Sequence, residues 1–242
     1  MLHLKKIIQK SALLSVTVML FAACQFNGVK GSGNVVTENR TVPNSFKSIK
    51  AEKGLDVVLE QSPETSITVI ADDNLQKHIK TTVENGVLTI TSDINNYINV
   101  ESKKVVVKAP NIESIDVCCG VSFNAKNTIK GNTIALKSSS GSSMNIAIEV
   151  EKASCEASSG SDIKVYGKAM AMEAASSSGS TIDAEKLLSN EIIAGASSGS
   201  VIEIFPLVSL NADASSGGVI NYHNVPKNIN KKSSSGGSIS KE

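Results

Sequence analysis

The second half of the chain alternates apolar and polar residues in a frame set by one recurring phrase. Ser-Ser-Gly-Ser or Ser-Ser-Gly-Gly stands around Gly141, Gly160, Gly179, Gly199, Gly217 and Gly236, at separations of 19, 19, 20, 18 and 19 residues. A degenerate copy, Cys118-Cys119-Gly120-Val121, comes before the first. Three residues after each glycine lie Phe123, Met144, Ile163, Ile182, Ile202, Ile220 and Ile239, all large and apolar. Two further on lie Ala125, Ile146, Val165, Ala184, Ile204 and Tyr222, and between the two sets stand Asn124, Asn145, Lys164, Asp183, Glu203, Asn221 and Ser240. This alternation has a period of two, so each segment after a glycine reads as a strand with its apolar side turned inward.

The segment before each glycine alternates as well, with smaller inward residues. Five before it are Ile115, Leu136, Cys155, Ala174, Ala194 and Ala212; three before it are Val117, Ser138, Ala157, Ser176, Ala196, Ala214 and Ser233. A further inward column, seven before, holds Ile134, Ala153, Met172, Ile192, Leu210 and Ile229. Small side chains let this wall approach the isoleucine wall, and the glycine permits a bend between them. A period near 20 means stacked units that bury their apolar faces only against their neighbours. Helical units are excluded by the Ser, Gly, Val, Ile and Thr content and by the lack of apolar spacings of three and four. The pattern therefore predicts an all-β protein. It is a parallel β-helix-like solenoid with coils of about 19 residues, regular from about residue 112, and its seven coils at ~4.8 Å span ~30 Å.

The front half is β-rich without a visible repeat. Stretches around 49–59, 67–71, 87–91 and 103–108 cluster β-branched residues, Asn85-Gly86 predicts a hairpin, and Asp73 to Lys77 predicts one helical turn capped by an aspartate. This half reads as the first, irregular coils and as a cap over the first rung, which would otherwise be an open edge. At the other end Lys231 and Lys232 bring charge to the repeat and predict a terminal cap. The expectation is one domain over residues 34–242.

Residues 1–23 have the form of an export signal. Lys5, Lys6 and Lys10 precede a short apolar run from Ser11 to Phe21, too short to span a bilayer as a helix. The run closes on Leu20-Phe21-Ala22-Ala23-Cys24, which resembles a bacterial lipobox, although Phe21 stands where a smaller aliphatic residue is usual. Cys24 is thus the expected lipidation site, residues 24–33 the tether, and the membrane a partner through the lipid anchor. Gln25 in place of Asp after the cysteine points to the outer membrane.

Together Phe46-x-x-Ile49, Gly54-Leu55-Asp56-Val57, Asp73-Asn74-Leu75, Asn85-Gly86-x-Leu88-Thr89-Ile90, Ala109-Pro110-Asn111-Ile112 and the serial S-S-G-S phrases resemble the auto-transporter adhesin, head GIN domain family. The resemblance runs from about Phe46 to the C-terminus. It implies a β-helix-like solenoid on an exported envelope lipoprotein, and it brings no catalytic residues.

The rest of the composition narrows the chemistry. Without the three signal lysines, the totals of 24 basic and 23 acidic side chains become a small acid excess, which offers no footprint for nucleic acid. Arg40 is the one arginine and lies outside the repeat, so bidentate clamping of phosphate or carboxylate is poorly supplied. A polysaccharide lyase or hydrolase would need paired carboxylates. Asp183 and Glu203 on adjacent coils, with Lys164 one coil earlier, are the best candidates, but a solvated ladder accounts for them more simply. The repeated serines lack a histidine partner for nucleophilic catalysis and are expected to form hydroxyl ladders at the corners. Cys118 and Cys119 without a nearby histidine do not make a zinc site, and Cys155 falls in a core column. The reading is a non-enzymatic envelope protein with no catalytic, metal or cofactor residues. It acts as an adhesion or binding module for a glycan or protein ligand, with a purely structural envelope role and the polysaccharide enzyme as alternatives.

Overall fold

The structure, a computed structural model, describes residues 28–42 and 45–242. The expected signal segment and Cys24 lie outside the described residues. Among these residues there is no α-helix, and the chain winds into stacked β-coils.

The columns read from the sequence are the hydrogen-bonded registers of the solenoid. Phe123 pairs with Met144, Met144 with Ile163, and the series continues without a slip through Ile182, Ile202, Ile220 and Ile239. All pairs are parallel, and from Phe123 to Ile220 the side chains are buried. The small-residue columns stack in the same way: Val117, Ser138, Ala157, Ser176, Ala196, Ala214 and Ser233 form one continuous ladder. Isoleucines against alanines give the close packing on which a thin solenoid depends, since no other layer covers its core.

Each corner is a tight turn in which two successive residues take left-handed φ. Ser178 has φ 55° and Gly179 φ 70°, and the other five copies repeat this pair of values within a few degrees. The sequence pointed to the glycine alone, yet the serine before it shares the bend, as in the primed turns that join twisted strands. Neighbouring turns are tied together, for the Gly160 N–H donates to the Ser178 carbonyl at 3.1 Å and the Gly179 N–H to Ser198 at 3.1 Å. The serine after the glycine is buried. Its hydroxyl donates to a carbonyl of the preceding coil: Ser161 to Ser138 at 2.7 Å, Ser180 to Ala157 at 2.8 Å, Ser200 to Ser176 at 2.7 Å. In the last two coils that place is Gly218 or Gly237, where a Cβ would stand 2.4 and 2.3 Å from a carbonyl oxygen of the coil below. Each letter of the phrase therefore has its own structural task.

The front half contributes coils, but out of sequence order. Ser48–Ala51 and Asp56–Gln61 form one coil, which lies between the coil of residues 87–109 and the coil beginning at Ser114. Its corner is Lys53-Gly54, with φ 67° and 65°, so Glu52-Lys53-Gly54-Leu55 is a further copy of the turn that has lost the serines. The inserted order follows from chain reversals: the Asn85-Gly86 hairpin joins Ile79–Glu84 to Val87–Ser92 antiparallel, as the sequence predicts. Ser66–Asp72 runs antiparallel to Lys103–Ala109, and Val35–Arg40 antiparallel to Ser66–Asp72 in turn. These antiparallel strands cover the first rung.

Two local expectations change. Residues 28–33 are not the end of a loose tether, because Val29–Lys30 pair in parallel with Tyr97–Ile98 and the Gly31 N–H donates to Ile98 at 2.9 Å. The helical turn is a 3-10 turn over Asp73–Leu75, and Asp72 before it caps nothing. The Asp72 carboxylate, fully buried, instead accepts the Gly33 N–H at 2.9 Å and the Ser102 N–H at 2.8 Å, clipping the N-terminal segment to the cap. Burial opposes the charge on this carboxylate. The N–H groups of Gly33, Ser102 and Glu101 outweigh it and hold the group below its ordinary value of 3.8. A carboxyl depressed in the fold stabilises at pH above its unfolded value and stops doing so as pH falls through the folded one. Residues 28–33 should stay protected in amide exchange at neutral pH and lose that protection below about pH 4, while Asp72→Asn should remove the pH step.

At the far end the core runs out. Lys231 stacks on Ala212 in the small-residue column, and its Nζ reaches the Tyr222 hydroxyl at 3.3 Å. Every residue of Asn228–Ser233 is exposed, so charge ends the solenoid as the sequence suggested.

Candidate functional site

The outer faces carry the polar half of each alternation, stacked at one coil spacing. Lys164, Asp183 and Glu203 are in register on three successive coils. The Lys164 Nζ lies 2.8 Å from Asp183 Oδ2, and Glu203 accepts Asn221 Nδ2 at 2.8 Å and faces His223 Nε2 at 2.8 Å. The hydrogen bond to Asp183, and then its charge, push the Lys164 ammonium above its ordinary value. Both carboxylates are thus engaged by neighbours along the ladder, Asp183 by Lys164 and Glu203 by Asn221 and His223. Lys137–Glu156 at 2.7 Å and Lys130–Glu149 at 3.0 Å are ladders of the same kind on other faces. Exposed pairs like these add little to stability, because water and salt screen them.

A different face has the shape of a binding site. A groove of about 1190 Å³ runs along the axis over six coils, from Thr133 to Asn228. At ~4.8 Å per coil it is ~24 Å long. Its floor is the backbone of the column seven before each glycine, whose side chains from Ile134 to Leu210 turn into the core. Its walls are the outward residues on either side: Lys152, Glu191 and Asn228 on one, Ser154, Glu173, Ile193 and Asn211 on the other. Charges of both signs alternate with amides and hydroxyls, and Ile193 stands 55% exposed among them. The site has no single dominant charge. It fits an extended, near-neutral chain better than a compact anion.

The sequence singled out Asp183 and Glu203 and missed the groove. One signal was available. Ile193 follows Ile192, so an apolar residue occupies an outward place and breaks the alternation. Cys24 lies outside the described residues. Cys155 is buried in its column, as expected, and Cys118 and Cys119 share the corner of the first regular coil. No group of three or more His, Cys, Asp or Glu residues among the described ones is arranged to hold a metal ion.

A family model described as "Putative auto-transporter adhesin, head GIN domain" matches residues 45–226. The chain belongs to this family. The match spans the coils from Ser48 on, the turns through Gly217, and the groove from Thr133 to Asn211. Solved structures share the fold. A putative adhesin from Bacteroides fragilis superposes with a TM-score of 0.82 at 19% identity, covering 89% of this chain and all of that one. A putative adhesin from Parabacteroides merdae gives 0.70 at 19% identity, covering 88% and 98%. A structure from Parabacteroides distasonis, described as a putative lipid binding protein, gives 0.70 at 21% identity, covering 88% and 99%. No curated protein matches the chain. The names carried by the family and by these structures are those of adhesins and of a binding protein, and none is that of an enzyme.

Proposed function

We propose that this head GIN protein is a non-enzymatic binding module of the bacterial cell envelope, tethered by lipid at Cys24 and holding an elongated ligand along its axial groove. The observation that carries the reading is the groove itself: six coils long, mixed in charge, and built on a rigid repeated scaffold. The engaged state of Asp183 and Glu203 supports binding over turnover, as does the adhesin character of the family. The ligand class is a glycan chain or an extended protein segment, because the walls offer amides, hydroxyls and balanced charge with apolar contacts at Ala135, Ala171 and Ile193. Nucleic acid is disfavoured by the near-neutral net charge.

The basic start, the short apolar run and Ala22-Ala23-Cys24 support export and acylation, and Gln25 supports the outer membrane as the destination. Acylation with more than one chain gives stable anchoring. Cys24→Ser should move the protein to the soluble fraction or leave it as an unprocessed precursor; normal membrane retention with an unchanged mature mass would refute the anchor. The function is tested by binding of the purified protein to a broad panel of glycans and envelope proteins, with product release followed in parallel. Saturable binding without release supports the module. Released oligosaccharide would make it an enzyme, and no binding to any partner would leave a structural role.

A further inference from the structure

In one coil only, the two serines of the turn phrase are replaced by cysteines, and the two sulfurs meet. Cys118 Sγ and Cys119 Sγ lie 2.7 Å apart, closer than unbonded sulfurs settle and a little beyond the ~2.04 Å of a disulfide. We propose that Cys118 and Cys119 are a modification site that closes reversibly to a vicinal disulfide. The backbone that holds the pair is already fixed from both sides. The Cys119 carbonyl accepts the Gly54 N–H of the coil before at 2.9 Å, and the Gly120 N–H donates to Ser140 of the coil after at 3.2 Å. Cys118 pairs in register with Ser139, and Cys119 takes the left-handed φ of 64° that every copy of the turn takes at this place. The entropy of bringing the thiols together is therefore spent in folding, before any bond forms.

The chemistry balances with a disulfide as the oxidant. Cys119 is exposed, so its thiolate attacks one sulfur of a small-molecule or protein disulfide, forming a mixed disulfide and releasing one donor thiolate. Cys118 then loses its proton to solvent and attacks the Cys119 sulfur as the thiolate, expelling the second donor thiolate, which is reprotonated from solvent. Cys118 lies partly covered at the turn, and burial, followed by its neighbour Cys119, pushes its thiol up to about 12. Cys118 thus serves as the resolving group rather than the attacking one. Cys155 is no competitor, being buried in its core column. Adjacent Cα atoms are ~3.8 Å apart, short of the ~4.4–6.8 Å that relaxed disulfides span, so the bridge reopens more easily than a structural one. In the exported protein the bridge would also keep the exposed Cys119 from joining two copies.

The test is peptide mass analysis of the purified full chain after titration with oxidised glutathione and trapping of remaining thiols by alkylation. The peptide of residues 109–126, which holds both cysteines, should appear unalkylated and two hydrogens lighter than the dithiol, and should take two alkyl groups after mild reduction. Cys118→Ser restores a residue of the common phrase, so the turn should persist. That variant should stop at a glutathione adduct on Cys119 or at a Cys119-linked dimer. A wild-type peptide that keeps both thiols alkylatable after oxidation, that retains glutathione, or that pairs with Cys155 would overturn the proposal.

Discussion

Ile182→Ala should cost about 2–5 kcal/mol of stability, whereas Asp183→Ala, its immediate neighbour in sequence, should cost less than about 1 kcal/mol. Ile182 is completely buried between Ile163 and Ile202 in the axial column. Truncation leaves a cavity that the stacked coils cannot close, because each is held in register by hydrogen bonds on both sides. Asp183 points outward and loses one exposed ion pair with Lys164. Denaturant unfolding of the two variants checks this. Equal losses would mean that the inward and outward faces have been exchanged.

Gly167→Ala should cost more than about 2 kcal/mol, through backbone strain and a direct clash. Gly167 has φ 115°, where an L side chain is strained, and a Cβ there would stand 2.2 Å from the Ile148 carbonyl oxygen. It lies where the pairing of this coil with the next slips between Lys164 and Gly167, so the chain needs this conformation to stay in register beyond the bulge. Gly195→Ala is the matched control. Gly195 has ordinary φ and open space around it, so alanine there should be neutral or stabilise by about 0.4–1 kcal/mol. Thermal melts of the pair should diverge, and a Gly167→Ala protein as stable as wild type would refute the bulge geometry.

The regular coils were legible because a parallel stack repeats one environment, so the same residue type returns at the same offset from Ile163 to Ile220. Where the environment does not repeat, the sequence carried less. Lys53-Gly54 makes the same turn as Ser178-Gly179, but its neighbours are Glu52 and Leu55, so the copy was invisible as a repeat. The order of the front coils depends on which strands pair after the hairpin reversals, and that is settled by long-range packing of residues such as Val57 between Val105 and Phe123. Asp72 looked like a helix cap because an aspartate before a short turn usually is one. Its partners, Gly33 and Ser102, are remote in sequence. The groove was hidden for a related reason: concavity is a property of six stacked backbones, and only Ile193 betrayed it locally. The serine ladders and the charged C-terminal coil, by contrast, follow from single positions and were read correctly.

Binding at the groove without chemical turnover is decided by one comparison. A ligand captured by the wild-type protein is titrated against wild type, Ala171→Arg and Asp183→Ala, then recovered and checked for chemical change. Ala171 lines the groove between Lys152 and Glu191, where a long side chain would obstruct its middle, while Asp183 lies on another face. The ligand should be recovered intact, with affinity reduced at least about tenfold (~1.4 kcal/mol) by Ala171→Arg and unchanged by Asp183→Ala. Unaltered affinity in Ala171→Arg, or a cleaved ligand whose cleavage vanishes in Asp183→Ala, would contradict groove binding without turnover.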